Sequence, residues 1–307
     1  MTPLLDKSWI LTCVIVAVIC SCKNNAPESR GASLQIHQDI HTTASHKHYN
    51  FDEPSLTLSL SPELVEISGL TYDTISGMLM AVNDELGNIY HINKTDGRTV
   101  NVEKFGKKGD YEGLATTAST VYIMKSNGQL QVYDRTTTEL VKYKTGLTAM
   151  HDAEGLLLID DTTLLIASKG NAKGGKKNSK QVYSYDIASQ SMADTPHLHI
   201  DDIKLIELSQ QPGLSNIELQ RARHRAKQFS PSGIAKHPLT GDIYIVSAKG
   251  STIVIVDAAG DIKELIMLNE KQQQQPEGIC FDTEANLYIA NEGRGLAAKI
   301  YVYPQQQ

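Results

Sequence analysis

Carboxylates placed immediately before a glycine recur along this chain, and they are its strongest candidates for chemistry. Glu112-Gly113-Leu114, Glu154-Gly155-Leu156 and Glu277-Gly278-Ile279 share one text, which Ser68-Gly69-Leu70 and Ser232-Gly233-Ile234 repeat with serine in place of glutamate. Two residues earlier, and so on the same face of an extended strand, stand Glu66, Asp110, Asp152, Ser230 and Gln275. If one strand from each copy lined a common channel, Glu66, Glu112, Asp152, Glu154 and Glu277 would converge there. So many carboxylates cannot all stay ionised at close quarters: either they hold protons more tightly or cations neutralise them. Hard oxygen donors suit Ca²⁺ or Mg²⁺ far better than zinc, and Ca²⁺ is the expected cofactor. A structural use of the same residues, each glutamate latching to the backbone of its neighbour, is the competing expectation.

Each copy is followed by a second apolar segment that ends in polar residues. These ends bring Asn83, Asp84, Lys169, Lys249, Asn291 and Glu292 to the same neighbourhood, where they are the expected ligand contacts of a channel mouth. Lys169 and Lys249 could offset part of the negative charge. His151 is the only histidine near the ring, and a histidine at a strand start more often makes a polar contact than acts as a base. No Gly-x-Ser-x-Gly elbow, P-loop or His-Glu-x-x-His is present.

The elements that must position these residues follow from the spacing. A repeat of forty-odd residues with several short strands per unit is the signature of a β-propeller. The step from Glu154 to Ser232 is 78 residues, against 44, 42 and 45 for the others. Residues 214–229 in that gap carry helix formers with Arg221, Arg223 and Arg225, so the expectation is an all-β, five-bladed propeller with a helical insert near 202–229. A sixth, degenerate blade in the gap is the alternative. The Gly/Lys-rich stretch 170–180 reads as a mobile turn. Leu56, Leu58 and Leu60 alternate as a strand ahead of the first copy, while the last copy runs out one strand short at Tyr303-Pro304. The N-terminal strand is therefore expected to complete the last blade, which closes the ring without an open edge.

The domain is expected to span residues 54–304. Before it, Lys7 precedes an apolar run from Trp9 to Ile19 that ends Ile19-Cys20-Ser21-Cys22. That run is short for a membrane span and reads as a secretory signal over residues 1–21. Its end looks like a bacterial lipobox, with Cys22 the lipidated residue and the new N-terminus. Residues 22–53 are Asn-, Ser-, His- and Thr-rich and read as a flexible tether; His37, His41, His46 and His48 fall there as a solvated cluster. With Cys13 and Cys20 in the signal and Cys22 lipidated, Cys280 has no partner and reads as a small core residue. The formal net charge of −6 and the lack of a basic stripe speak against nucleic acid as a partner.

The text Glu66-Ile67-Ser68-Gly69-Leu70-Thr71-Tyr72-Asp73, with Ala81-Val82-Asn83-Asp84-Glu85, Tyr111-Glu112-Gly113-Leu114-Ala115, Pro231-Ser232-Gly233-Ile234-Ala235 and Gln275-Pro276-Glu277-Gly278-Ile279, resembles the SdiA-regulated family of bacterial β-propellers. The resemblance runs from about residue 64 to 303. It implies a cell-envelope propeller, some members being described as calcium-regulated and phytase-like. Phytase-like catalysis needs cations to grip phosphate, and Lys169, Lys249 and Arg294 are the available ones. The leading expectation is a non-enzymatic, lipid-anchored propeller, on the outer membrane and facing the periplasm, that binds an envelope protein or a small anionic ligand at its mouth with Ca²⁺. The alternative is a metal-dependent phosphatase or esterase working from the same acidic ring.

Overall fold

The computed structural model describes residues 48–170 and 179–306. The signal, Cys22, the histidines at 37, 41 and 46 and most of the Gly/Lys-rich turn lie outside the described residues.

A closing strand comes first in the chain, β1 (Leu56–Ser59). Blade one holds β2 (Ile67–Asp73), β3 (Met78–Asn83), β4 (Asn88–Ile92) and β5 (Thr99–Lys104). Blade two holds β6 (Tyr111–Thr116), β7 (Thr120–Lys125), β8 (Gln129–Asp134) and β9 (Leu140–Lys144). Blade three holds β10 (Ala153–Asp160), β11 (Thr163–Ser168) and β12 (Ser179–Asp186), with its outer edge split into β13 (Ser191–Met192) and β14 (Leu198–Asp201). Helices α1 (Asp202–Leu208) and α2 (Asn216–Lys227) follow. Blade four holds β15 (Ser230–Lys236), β16 (Ile243–Lys249), β17 (Thr252–Val256) and β18 (Ile262–Met267). Blade five holds β19 (Pro276–Phe281), β20 (Leu287–Asn291) and β21 (Lys299–Tyr303), and β1 pairs antiparallel with β21, Leu56 opposite Val302 and Ser59 opposite Lys299. The ring is thus five blades closed by the N-terminal strand, and the long gap is helical rather than a sixth blade.

Burial explains which segments become which strands. Middle strands are buried on both faces and read as unbroken apolar runs, such as Ile243 to Val246 and Ile253 to Val256. Outer strands have one wet face, so β5 reads Thr-Val-Asn-Val-Glu-Lys and is largely exposed. The core divides into five clusters, one in each seam between adjacent blades.

At the axis the five inner strands come very close. A Cβ on Gly113 would stand 2.7 Å from the Glu154 carbonyl oxygen, one on Gly233 2.5 Å from that of Glu277, and one on Gly278 2.7 Å from that of Ser68. Gly69 meets the Gly113 Cα at 2.9 Å, and Gly155 meets Ile234 at 2.9 Å. Each central glycine therefore leans on the next strand around the ring, and none can carry a side chain without displacing its neighbour. The repeated glycine is the condition for a ring this narrow.

The helical insert fills the seam between blades three and four. Ser215 and Glu218 form a capping box that starts α2. Leu205, Ala222, Ala226 and Phe229 pack onto Val182, Ile200, Leu265 and Met267. Arg225, 5% exposed, donates to three carbonyl oxygens of blade four, those of Gly250, Ser251 and Leu268, each at 2.7 Å.

The domain begins earlier than residue 54. Tyr49 and Phe51, placed by composition in the tether, are buried among Tyr244, Phe281 and Tyr303. The Tyr49 hydroxyl donates to the Ala285 carbonyl at 2.7 Å. Two aromatic residues in a polar context gave too little periodicity to register as structure.

Gly113→Ala is expected to lower stability by about 1–3 kcal/mol through overpacking, and Arg225→Ala by about 3 kcal/mol because three buried carbonyls lose their donor. Urea unfolding of each variant measures both; Gly113→Ala equal to the parent would remove the steric account of the ring.

Candidate functional site

First strands start at one face of the ring, called here the upper face, and second strands end there. The residues before the glycines project into the axis just below that face. Glu154 and Glu277 are buried and Glu112 is half-buried. Among the described residues one ammonium stands with them: the Lys169 Nζ lies 2.8 Å from Glu154 Oε1, and it also feels the charges of Glu277 and Glu112. The Ser68 hydroxyl donates to Glu112 Oε2 at 2.7 Å, and the Gln275 amide donates to Glu277 Oε1 at 3.2 Å. Ser232, the other copy lacking a carboxylate, donates to the Pro276 carbonyl at 2.7 Å.

Three carboxylates share one cation, so the charges do not balance if all are ionised. Burial raises Glu112, with the Glu154 charge adding to it. Burial raises Glu154 as well, against the pull of Lys169. It pushes Glu277 up to about 7 against the same lysine. Burial alone would lower Lys169, but the glutamates hold it well above the usual lysine range. The deep ring is therefore a Lys169-centred network that takes up protons near neutrality.

Glu66 and Asp152 do not join this deep ring. Glu66 is exposed at the mouth, within electrostatic reach of Asp84 and Glu292. Asp152 lies beside Glu154 and Lys180. The outer acidic group is Glu66, Asp84, Glu85, Asp110 and Glu292, contributed by blades one, two and five. Burial, and then the charges of Glu66, Glu85 and Asp110, hold Asp84 up to about 6; Asp84 Oδ1 is buried without a hydrogen-bond partner among the described residues. Burial raises Glu292 too, reinforced by Asp84 and Glu66. Among the described residues no three acidic, histidine or cysteine groups stand close enough together to hold a metal ion.

The remaining expected mouth residues divide. Lys249 is exposed at the end of β16. Asn83 and Asn291 are buried and their amides are already engaged: Asn83 donates to the Glu63 carbonyl at 3.0 Å and accepts from the Leu86 amide at 2.8 Å, while Asn291 bonds Gln273 and the Gln275 amide. They hold strand ends in place. His151 accepts from the Thr148 amide at 3.0 Å, a turn contact. Lys180 escaped the sequence reading because it borders a run of lysines and glycines; it is the half-buried second residue of β12 and donates to the Lys169 carbonyl at 2.6 Å. Cys280 is buried in β19, and burial pushes its thiol up, away from reactivity.

Below the deep ring the glycines and Leu70, Leu114, Leu156, Ile234 and Ile279 close the axis, leaving a void of about 10 Å³, room for one water molecule at most. The upper mouth is thus a dish and not a tunnel.

The SdiA-regulated family model matches residues 200–294, from α1 through blade four and most of blade five. That match and the five-bladed architecture fit the propeller family that the motifs resemble. Among solved structures the chain is similar to the glutaminyl cyclase of Myxococcus xanthus, at 12% identity and a TM-score of 0.55, over 83% of this chain and 97% of that one. It is also similar to a luciferin-regenerating enzyme, at 11% identity and a TM-score of 0.49, over 82% and 95% of the two chains. The likeness to the cyclase shows a shared fold and nothing more. The chain has no match among curated proteins.

Glu277 gives a pH test. Its folded-state pKa, about 7, exceeds the ordinary 4.5, so the folded protein binds that proton more tightly than the unfolded chain. The resulting stability is complete below pH 4.5 and is lost as pH rises towards 7, at about 1.4 kcal/mol per pH unit. Glu277→Gln removes the Glu277 share of the slope and leaves that of Glu112, Glu154 and Asp84. The variant is expected to be roughly 1–3 kcal/mol more stable than the parent at pH 8 and no more stable in mild acid, by urea unfolding at both pH values.

Proposed function

We propose that the protein is a binding propeller of the cell envelope, carried on lipid at Cys22, that takes a cation or a cation-bearing partner at its upper mouth. The observation that carries this reading is the surplus of carboxylates there: the deep ring has Lys169 as its counter-charge, while Glu66, Asp84, Asp110 and Glu292 face one another with Arg294 and Lys169 offsetting Glu292 in part, and Asp84 Oδ1 has no hydrogen-bond partner among the described residues. Surplus charge of one sign at a half-buried mouth attracts and orients the opposite sign.

Calcium is the inorganic form of that ligand. The donors are hard oxygens, as Ca²⁺ requires. In the deep ring the Lys169 ammonium lies against Glu154 and competes for any added cation, so the fit is better in the outer group, where Asp84, Glu66 and Glu292 would supply the oxygens after a side-chain adjustment. A membrane anchor is compatible with an open mouth, because residues 48–51 pack against the turn before β20, on the lower face.

The hydrolase reading draws on one specific feature, the raised carboxyls of Glu112 and Glu154, either of which could act as a general acid. It requires phosphate or ester turnover that disappears in Glu112→Gln or Glu154→Gln while the fold survives.

The cation claim is tested by a calcium titration of the full chain followed by calorimetry and thermal melting. Binding is expected to raise the melting temperature by roughly 3–6 °C at ten times the dissociation constant, and Asp84→Asn is expected to abolish most of that rise. No heat and no shift at millimolar calcium would remove the calcium claim.

A further inference from the structure

The lower end of the axis holds a cavity that is separate from the upper mouth. Below the glycines the five inner strands run on to the lower face and enclose about 190 Å³. Its floor is the plug that closes the axis from above, where Leu70, Leu156, Ile234 and Ile279 present apolar surface. An engineered apolar cavity of about 150 Å³ takes up benzene, so this one has room for a six-membered ring and a small substituent.

Two features of the lining select the chemistry of an occupant. Each inner strand, β2, β6, β10, β15 and β19, is the terminal strand of its sheet. The edge it turns to the axis therefore carries backbone N–H and C=O groups that no ladder uses. Those groups come as donors and acceptors alike, so they favour a polar head without choosing its charge. The charge is chosen at the rim. Lys236 lines the cavity, and its ammonium donates to the Ile159 carbonyl at 3.1 Å, which carries the side chain across from blade four to blade three. It keeps further donors to give. Among the described residues no carboxylate lines the cavity. Asp73 and Asp282, at the lower ends of β2 and β19, are each matched by a cation from a neighbouring blade, Arg135 and Lys94. Asp160, next to Ile159, is exposed and accepts from the Thr162 amide and hydroxyl.

We infer that the lower cavity is a second binding site, for a small organic monoanion whose apolar body sits on the Leu/Ile floor and whose carboxylate lies at the rim beside Lys236. A cation of the same shape meets that ammonium and is repelled. A small anion without the apolar body leaves the floor uncovered and gains only an exposed ion pair, which is worth little. The plug in the axis separates this site from the upper mouth, so the inference stands apart from the cation reading and neither depends on the other.

The test is titration of the full chain, at low salt and neutral pH, with benzoate, benzyl alcohol, benzylammonium and acetate, followed by calorimetry and by amide NMR shifts. Benzoate is expected to bind with a dissociation constant of about 1 mM or below, with the shifts centred on Thr71, Ala115 and Ala235 of the lining. Benzyl alcohol keeps the ring and loses the charge, and is expected to bind about two- to fivefold more weakly. Benzylammonium and acetate are expected to be weaker still. Lys236→Met is expected to bring benzoate to the level of benzyl alcohol; Lys236 is exposed, and an unchanged melting temperature checks that the fold survives. Failure of benzoate to bind up to about 10 mM overturns the inference, as do shifts centred away from the lower cavity. Equal affinity of the parent and Lys236→Met for benzoate overturns it too, because the charge would then have no part in the site.

Discussion

The structure depends on one steric fact: at the axis, five strands approach too closely for any of them to carry a side chain at its innermost point. Glycine at 69, 113, 155, 233 and 278 lets each strand rest on the backbone of the next, and the contacts run full circle. Everything polar at the axis is then forced to one end. Directly above the glycines come Ser68, Glu112, Glu154, Ser232 and Glu277, the first positions with room for a side chain; directly below, leucine and isoleucine turn sideways into the seams between blades. The same crowding that closes the channel concentrates its carboxylates.

That concentration has an electrostatic consequence. A wider ring could hold three glutamates apart and wet. Here burial makes ionisation costly, and a single lysine from the adjacent strand end stands as internal counter-ion. Away from the mouth the chain handles charge differently. Arg135 clasps Asp73 through two bonds at 2.7 and 3.0 Å, linking blade two to blade one, and Lys94 reaches Asp282 at 2.8 Å, linking blade one to blade five. These lower-face pairs match charge for charge, and the Asp73 carboxyl falls to about 2 once Arg135 and its other donors outweigh burial. On the lower face balanced pairs hold blades together, while the buried glutamates of the axis share one lysine among the described residues.

Much of this was legible in the sequence because it is periodic. The Ser/Glu-Gly pair marks the start of every blade, so blade number, the closing strand and the helical insert could be read from spacing. Convergence of Glu112, Glu154 and Glu277 followed from the same frame. What could not be read was anything that depends on direction. Glu66 shares a strand face with Ser68 by count, yet it precedes β2 and points to solvent. Asn83 and Asn291 look like ligand donors by position, but buried strand ends claim their amides. Lys180 and the Tyr49–Phe51 pair sit in stretches whose composition hides them, and only tertiary packing gives them a place.

The early packing of Tyr49 and Phe51 also bears on how the ring withstands force. The strand that closes the propeller, β1, is the one nearest the N-terminal end, so tension on that end would be directed at the seam whose opening unrolls the whole ring. The pull does not reach it directly. It meets first the Tyr49 hydroxyl on Ala285, the Gln306 amide on the His48 carbonyl, and two aromatic rings set in the seam between blades four and five. Those contacts work as strain relief, as a clamp does on a cable, and β1 bears load only after they have given way.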